Sequence, residues 1–343
     1  MKNWILICFI LMIFIFSCSL KKEATPTFES EELNVYASEV LLNEDFLEES
    51  MSLFEGIFNC KVNLQIFVTA QAMVEQTIAE KDSTKADVLF GIDNTLLYLA
   101  LKESLFVEYE PKNLKYVNED VIFDKTNHII PVSYSDLGII YNSRNISNAP
   151  VTFGEMQDGK FKNQIIIMDP RKSSLGRAML FWSIAAFGEH GYGHFWRSIK
   201  ENIFAITESF DEAYNMFLAA EAPLMLGYVT TPIFHIKKDN TDKYKSTIPQ
   251  EGGFKLIKGV GILRSTKNQK LAEQFVEFLL SEEFQELIPL EMWMFPVNKN
   301  IKLSTEYKLL PEPKRDFTKE LSLRTIQWRY KSWIKKWEMI MLK

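Results

Sequence analysis

Short runs of strand-forming residues alternate along this chain with stretches whose apolar residues recur at helical spacing. That alternation restricts the fold more than any other feature. Residues 33–37, 62–68 and 86–91 are apolar, β-branched or aromatic runs of strand length. Between the first two, Leu47, Met51, Phe54 and Phe58 share one face of a helix, and a further helix is predicted over 71–80. The theme continues with extended segments at 129–134, 138–141, 164–168, 224–228 and 255–263. Ser173-Ser174 opens a helix to about Phe187, residues 208–220 carry the stripe Phe210, Tyr214 and Phe217, and Thr231 caps a short helix. Residues 271–280 and 283–287 are helical, and 318–341 reads as one long amphipathic helix. Strand and helix in alternation predict an α/β fold, a mostly parallel sheet with helices on both faces.

The N-terminus sets the compartment. Lys2 precedes an unbroken apolar run from Trp4 to Phe16, which is too short to span a bilayer stably. Ser17-Cys18 follows, a small residue directly before a cysteine, as in a bacterial lipobox. The expectation is a leader at 1–17, a lipid on Cys18, and a polar, charged tether over 18–32. What remains, about 325 residues, is long for one core and suits two lobes. A net charge of −6 argues against sequence-blind nucleic-acid binding. Of three cysteines, Cys8 leaves with the leader and Cys18 takes lipid, so Cys60 stands alone as a small buried apolar residue.

Candidate chemistry gathers where strands end. Asp169-Pro170-Arg171-Lys172-Ser173-Ser174 turns from a strand into a helix. Free N–H groups, two hydroxyls and two bases there suit an anion. Phe210, Tyr228, Phe234 and Trp293 stand at helix or strand ends, where open α/β sheets bind ligands. Asp93 or Asn94 can cap a helix over 95–101. His190 and His194 are four apart, but Gly191 and Gly193 are expected to interrupt a helix there, so no metal site is read from them. No phosphate loop, dinucleotide fingerprint or nucleophile elbow occurs. Trp328, Trp333 and Trp337 are expected to pack the last helix onto a lobe.

Five ordered stretches give a resemblance. Lys85 through Asn94, Asp169 through Ser174, Glu212-Ala213-Tyr214 with Phe217-Leu218, Tyr228 through Pro232, and Ile288 through Val297 resemble segments of the bacterial periplasmic thiamine-binding proteins. These are the solute-binding components of thiamine ABC transporters. The resemblance implies a two-lobed periplasmic solute-binding fold of type II, with mixed β-sheets flanked by helices and two crossing hinge segments near 130–135 and 258–263. Lobe one would be 33–132 plus 262–343, and lobe two 133–261. It implies a binding protein rather than an enzyme, with no cofactor and no metal, acting as a monomer at the periplasmic face of the envelope. The partners it implies are thiamine or a thiamine phosphate as ligand, an ABC permease with its ATPase, and a membrane reached through the Cys18 lipid.

Carried over by position, the ligand-binding residues would be Ser173, Ser174, Phe210, Tyr228, Phe234, Trp293, Asp93 and Thr69. Phe210 stands where the family has Trp, Phe234 where it has Tyr, Ser38 where it has Tyr, and Thr69-Ala70 where it has Asp-Gly. These differences leave open a related pyrimidine, iron or a polyamine as ligand. A thiaminase-like enzyme is the other alternative, and it would need Cys60 in the cleft.

Overall fold

The computed structural model describes residues 31–38 and 44–343. The leader, Cys18 and the tether as far as residue 30 lie outside the described residues. The first elements are β1 (Glu32–Ser38), α1 (Glu44–Phe58), β2 (Lys61–Phe67), α2 (Ala70–Glu80), β3 (Val88–Asp93) and α3 (Leu97–Lys102). A long strand, β4 (Ile130–Asn142), leads to β5 (Ile165–Met168), α4 (Ser174–Ile199), β6 (Ile203–Thr207), α5 (Phe210–Leu218), β7 (Leu224–Tyr228), α6 (Thr231–Lys237) and β8 (Tyr244–Thr247). Then come β9 (Lys255–Ile262), α7 (Gln269–Leu279), α8 (Glu282–Leu287), β10 (Phe295–Pro296) and α9 (Leu323–Met341).

The described strands run in the order β2-β1-β3-β9-β4-β7-β5-β6, with β8 and β10 also on β4. β1 is parallel to β2 and β3, and β5 is parallel to β6 and β7, while β9 and β4 are antiparallel to their neighbours. The sheet is therefore mixed. β4 links its two halves. Its residues 130–136 pair with β9, and residues 137–142 pair with β7 and β8. Each half has its own apolar core. Leu33, Phe54, Phe90, Val132, Phe275 and Phe284 belong to one, and Ile139, Ile166, Trp182, Trp196 and Leu226 to the other. Burying such residues contributes about 1.5–3 kcal/mol each.

Several boundaries differ from the sequence expectation. Glu32, placed in the tether, already pairs with Lys61 as the first residue of β1. The two extended segments at 129–134 and 138–141 are one strand, because Ser135 and Asp136 stay in register with Leu256 and Lys255. Gly191 and Gly193 lie inside α4, and the break falls earlier, at Gly188 with φ 69°. The last helix begins at Leu323, where the Ser322 hydroxyl accepts a hydrogen bond from the Thr325 N–H. Its Trp333 and Trp337 are buried in the core around α4, while Trp328 is 74% exposed.

Candidate functional site

Three adjacent parallel strands, β7, β5 and β6, deliver their carboxyl ends to one edge, and a helix starts after each. β2 reaches the same place from the other half and continues into α2. The free space there, open solvent included, is about 680 Å³. Thr69, Ser173, Ser174, Phe210, Tyr228 and Trp293 all line it, so the fold brings together six of the eight residues singled out in the sequence.

The hydroxyls sit at helix starts. Thr69 caps α2, its Oγ1 accepting from the Ala72 N–H at 3.1 Å, and Ser209 caps α5 in the same way through Glu212 N–H at 3.2 Å. Ser173 holds the capping position of α4 in an extended conformation, yet its side chain makes no capping hydrogen bond. The first N–H groups of this helix therefore remain without a side-chain partner at the cleft, the condition that suits an anion. Gly176 makes the geometry possible. A Cβ on it would lie 2.4 Å from the Met168 carbonyl oxygen and 2.7 Å from Asp169 C, so only glycine lets the helix start this close to the strand end.

The two bases of that turn do not contribute as expected. Arg171 is held by Asp169 and, at 2.9 Å, by Glu338 of α9, and neither Arg171 nor Lys172 lines the cleft. Among the described residues the cation that does is Lys258 of β9, only 3% exposed. Its sequence signal is a lysine within the otherwise apolar run Leu256-Ile257-Lys258-Gly259-Val260. Ser209, Thr230, Thr231, Met292 and Met294 also line the space, and among the described residues no carboxylate does. The expected Thr231 cap is absent. Thr230 takes the capping position, and its hydroxyl lies 3.1 Å from that of Ser135.

Asp93 is fully buried at the end of β3 and does not line the cleft. Its carboxylate accepts from the Thr95 N–H at 2.9 Å, from the Thr95 hydroxyl, and from Ser174 Oγ at 2.6 Å. It caps a turn rather than α3, which starts four residues on at Leu97, and it takes the Ser174 hydroxyl proton in a hydrogen bond. Ser38, on the exit of β1, donates to the Gly91 carbonyl at 2.9 Å and is likewise outside the lining.

The rings are held from behind. Phe210 stacks on Tyr214, centroids 5.4 Å apart and planes 16° apart, and meets Tyr228 at 5.6 Å. Tyr214 Oη lies 2.7 Å from His235 Nε2, and His235 Nδ1 lies 2.7 Å from Asp239. An ionised Asp239 only accepts, so Nδ1 carries the proton and Nε2 accepts from Tyr214. Burial pushes the His235 imidazole below its usual value, with the Asp239 hydrogen bond opposing. Phe234 does not line the space. It stands edge-on behind Trp293 at 5.7 Å. Trp293 adopts φ 52° at the end of the π-helical turn Ile288–Met292, a left-handed conformation costly for a bulky residue, which turns its ring into the cleft. Cys60 lies before β2, at the opposite end of that strand from Thr69, and burial and then Glu55 push its thiol up. It is placed as an inert core residue.

Residues 83–330 match the family model described as bacterial extracellular solute-binding protein. The thiamine-binding periplasmic protein of Brucella abortus biovar 1 (strain 9-941) is 29% identical over 264 residues, covering 76% of this chain and 78% of that protein. That of Escherichia coli (strain K12) is 27% identical over 293 residues, 83% and 85% respectively. A solved structure titled periplasmic thiamin binding protein superimposes with a TM-score of 0.83 at 25% identity, covering 91% of this chain and 96% of the other. The mixed, helix-flanked type II fold expected from the sequence is thus the fold of its structural relative, and the relatives are binding proteins rather than enzymes. With most of its length matched by the family model, this chain belongs to the bacterial extracellular solute-binding proteins.

Proposed function

We propose that this chain is the lipid-anchored, periplasmic receptor of an ABC importer, and that it captures thiamine or a thiamine phosphate, with phosphorylated forms preferred. One observation carries the preference. The cleft combines three aromatic residues with hydroxyls at helix starts and a buried lysine, and no carboxylate is among its described lining residues. Phe210, Tyr228 and Trp293 offer faces for the flat rings, each contributing about 0.5–2 kcal/mol. Ser173, the open start of α4 and Lys258 form an anion seat beside them. The loss of the family carboxylate at Thr69 removes what a bare thiazolium would face. The names of the relatives support the thiamine skeleton.

The lobes in this reading are the two halves of the sheet, hinged where β4 passes between them and at β9. α9 goes with the second lobe, because its tryptophans lie in the α4 core. Closing the lobes on the ligand forms the surface presented to the permease. The Cys18 lipid keeps the monomeric receptor beside that permease and its ATPase. Isothermal titration of the full chain in detergent, with thiamine, thiamine monophosphate and thiamine diphosphate, tests the assignment. The phosphates are expected to bind more tightly than thiamine, and no heat and no thermal shift with all three would sink it.

A further inference from the structure

Ser174 and Arg177 stand three residues apart on the first turn of α4, on one face. Both side chains cross to the other half of the sheet. Ser174 Oγ donates to Asp93 Oδ2 at 2.6 Å, and the Thr95 hydroxyl donates to Asp93 Oδ1. Arg177 Nε donates to Thr95 Oγ1 at 2.8 Å, which closes a ring of four side chains, and Arg177 Nη1 donates to Gln71 Oε1 on α2. Asp93 and Arg177 are 0% exposed and Thr95 is 1% exposed.

We infer that Arg177 is a positioning residue, the centre of a buried clasp that holds the two lobes in the closed arrangement and so sets how long the ligand stays. The inference rests on the two-lobed receptor reading above. A guanidinium withdrawn from water is costly unless its donors find acceptors; those of Arg177 that find them are Nε and Nη1, while Nη2 has no hydrogen-bond partner among the described residues. The acceptors of Arg177 Nε and Nη1 lie on the opposite half, so those bonds exist only while the halves are together. The clasp is also joined to the seat. Gln71 is two residues from Thr69, and Ser174 adjoins Ser173, and all but Gln71 line the cleft. A planar fork with fixed donor directions reaches Thr95 and Gln71 at once, which a lysine ammonium cannot reproduce.

The test uses the full chain with fluorophores on Ile57→Cys and Leu218→Cys, exposed positions of α1 and α5 on opposite halves. Single-molecule transfer without ligand is expected to show one compact population in the parent protein. Arg177→Met is expected to move most molecules to a more open one. With thiamine monophosphate as the probe, dissociation is expected to speed up by about tenfold or more and association to change by less than about threefold. Should Arg177→Met fail to fold, Thr95→Val breaks the ring from the other side and decides the matter. Transfer distributions and dissociation rates identical to the parent in the folded variants overturn the clasp. An opened apo population with no binding of the probe leaves the clasp standing and removes the ligand assignment instead.

Discussion

Replacing Lys258 by methionine separates the proposed preference for phosphate esters from binding of the thiamine rings. Lys258 is 3% exposed and lines the cleft, so water screens its charge little. It stands in register with Asp93 across the β3–β9 pair, and Arg177 reaches the same carboxylate through Thr95. A phosphate bound in the cleft would come within charge range of the Lys258 ammonium. Two unit charges ~6 Å apart at an effective dielectric near 20 interact by about 2–3 kcal/mol. A charge-assisted hydrogen bond is worth about 1.5–3 kcal/mol. Lys258→Met is therefore expected to weaken thiamine monophosphate by roughly ten- to a hundredfold, at 1.4 kcal/mol per factor of ten. Free thiamine, a cation, is expected to bind unchanged or slightly better. Titration calorimetry of both ligands against both proteins reads the ratio, and repetition at high salt should leave it nearly intact because the pair is buried. An equal loss for both ligands would refute the electrostatic reasoning and reduce Lys258 to a structural residue.

Three further outcomes can be measured. Gly176→Ala forces a methyl to within 2.4 Å of backbone at the end of β5, so urea denaturation should show a loss of about 1–3 kcal/mol, and an unchanged midpoint would mean the turn is looser than described. The depressed His235 imidazole resists a proton that the unfolded chain accepts below about pH 6.5, so its contribution to stability is full above that pH and is lost as pH falls through the folded value. Calorimetry should show the melting temperature dropping toward pH ~5, less steeply in His235→Asn; identical slopes would assign the drop elsewhere. Cys18→Ser is expected to abolish labelling by an alkyne palmitate analogue in cells, whereas persistent labelling would place the lipid on another residue.

Some of this site was legible because helix starts and strand ends leave local marks. The Asp169–Ser174 turn shows itself by Pro170, two serines and a flanking apolar strand, and Tyr228 and Trp293 by their position after strand and turn. The partners of those residues were not legible. Arg171 and Lys172 sit beside the serines in sequence, yet Asp169 and Glu338 take Arg171, and the cleft takes its cation from Lys258, 85 positions beyond Ser173. Phe234 shares the sequence pattern of Trp293 and is the ring behind it. One local pattern serves lining and support alike, since both need an aromatic residue near a strand end.

By itself the sequence determined the α/β alternation and the placing of hydroxyls and rings at element ends, both of which depend on neighbours within a few residues. The tertiary structure decided which half of the sheet each element joins and what each polar group faces. It carried α9 to the α4 core, turned Asp93 from the ligand space toward Ser174 and Thr95, and set Arg177 among acceptors 82 and 106 residues away. Such pairings are chosen by burial and by the need of each desolvated donor for an acceptor, and those demands arise only when distant segments close over the same space.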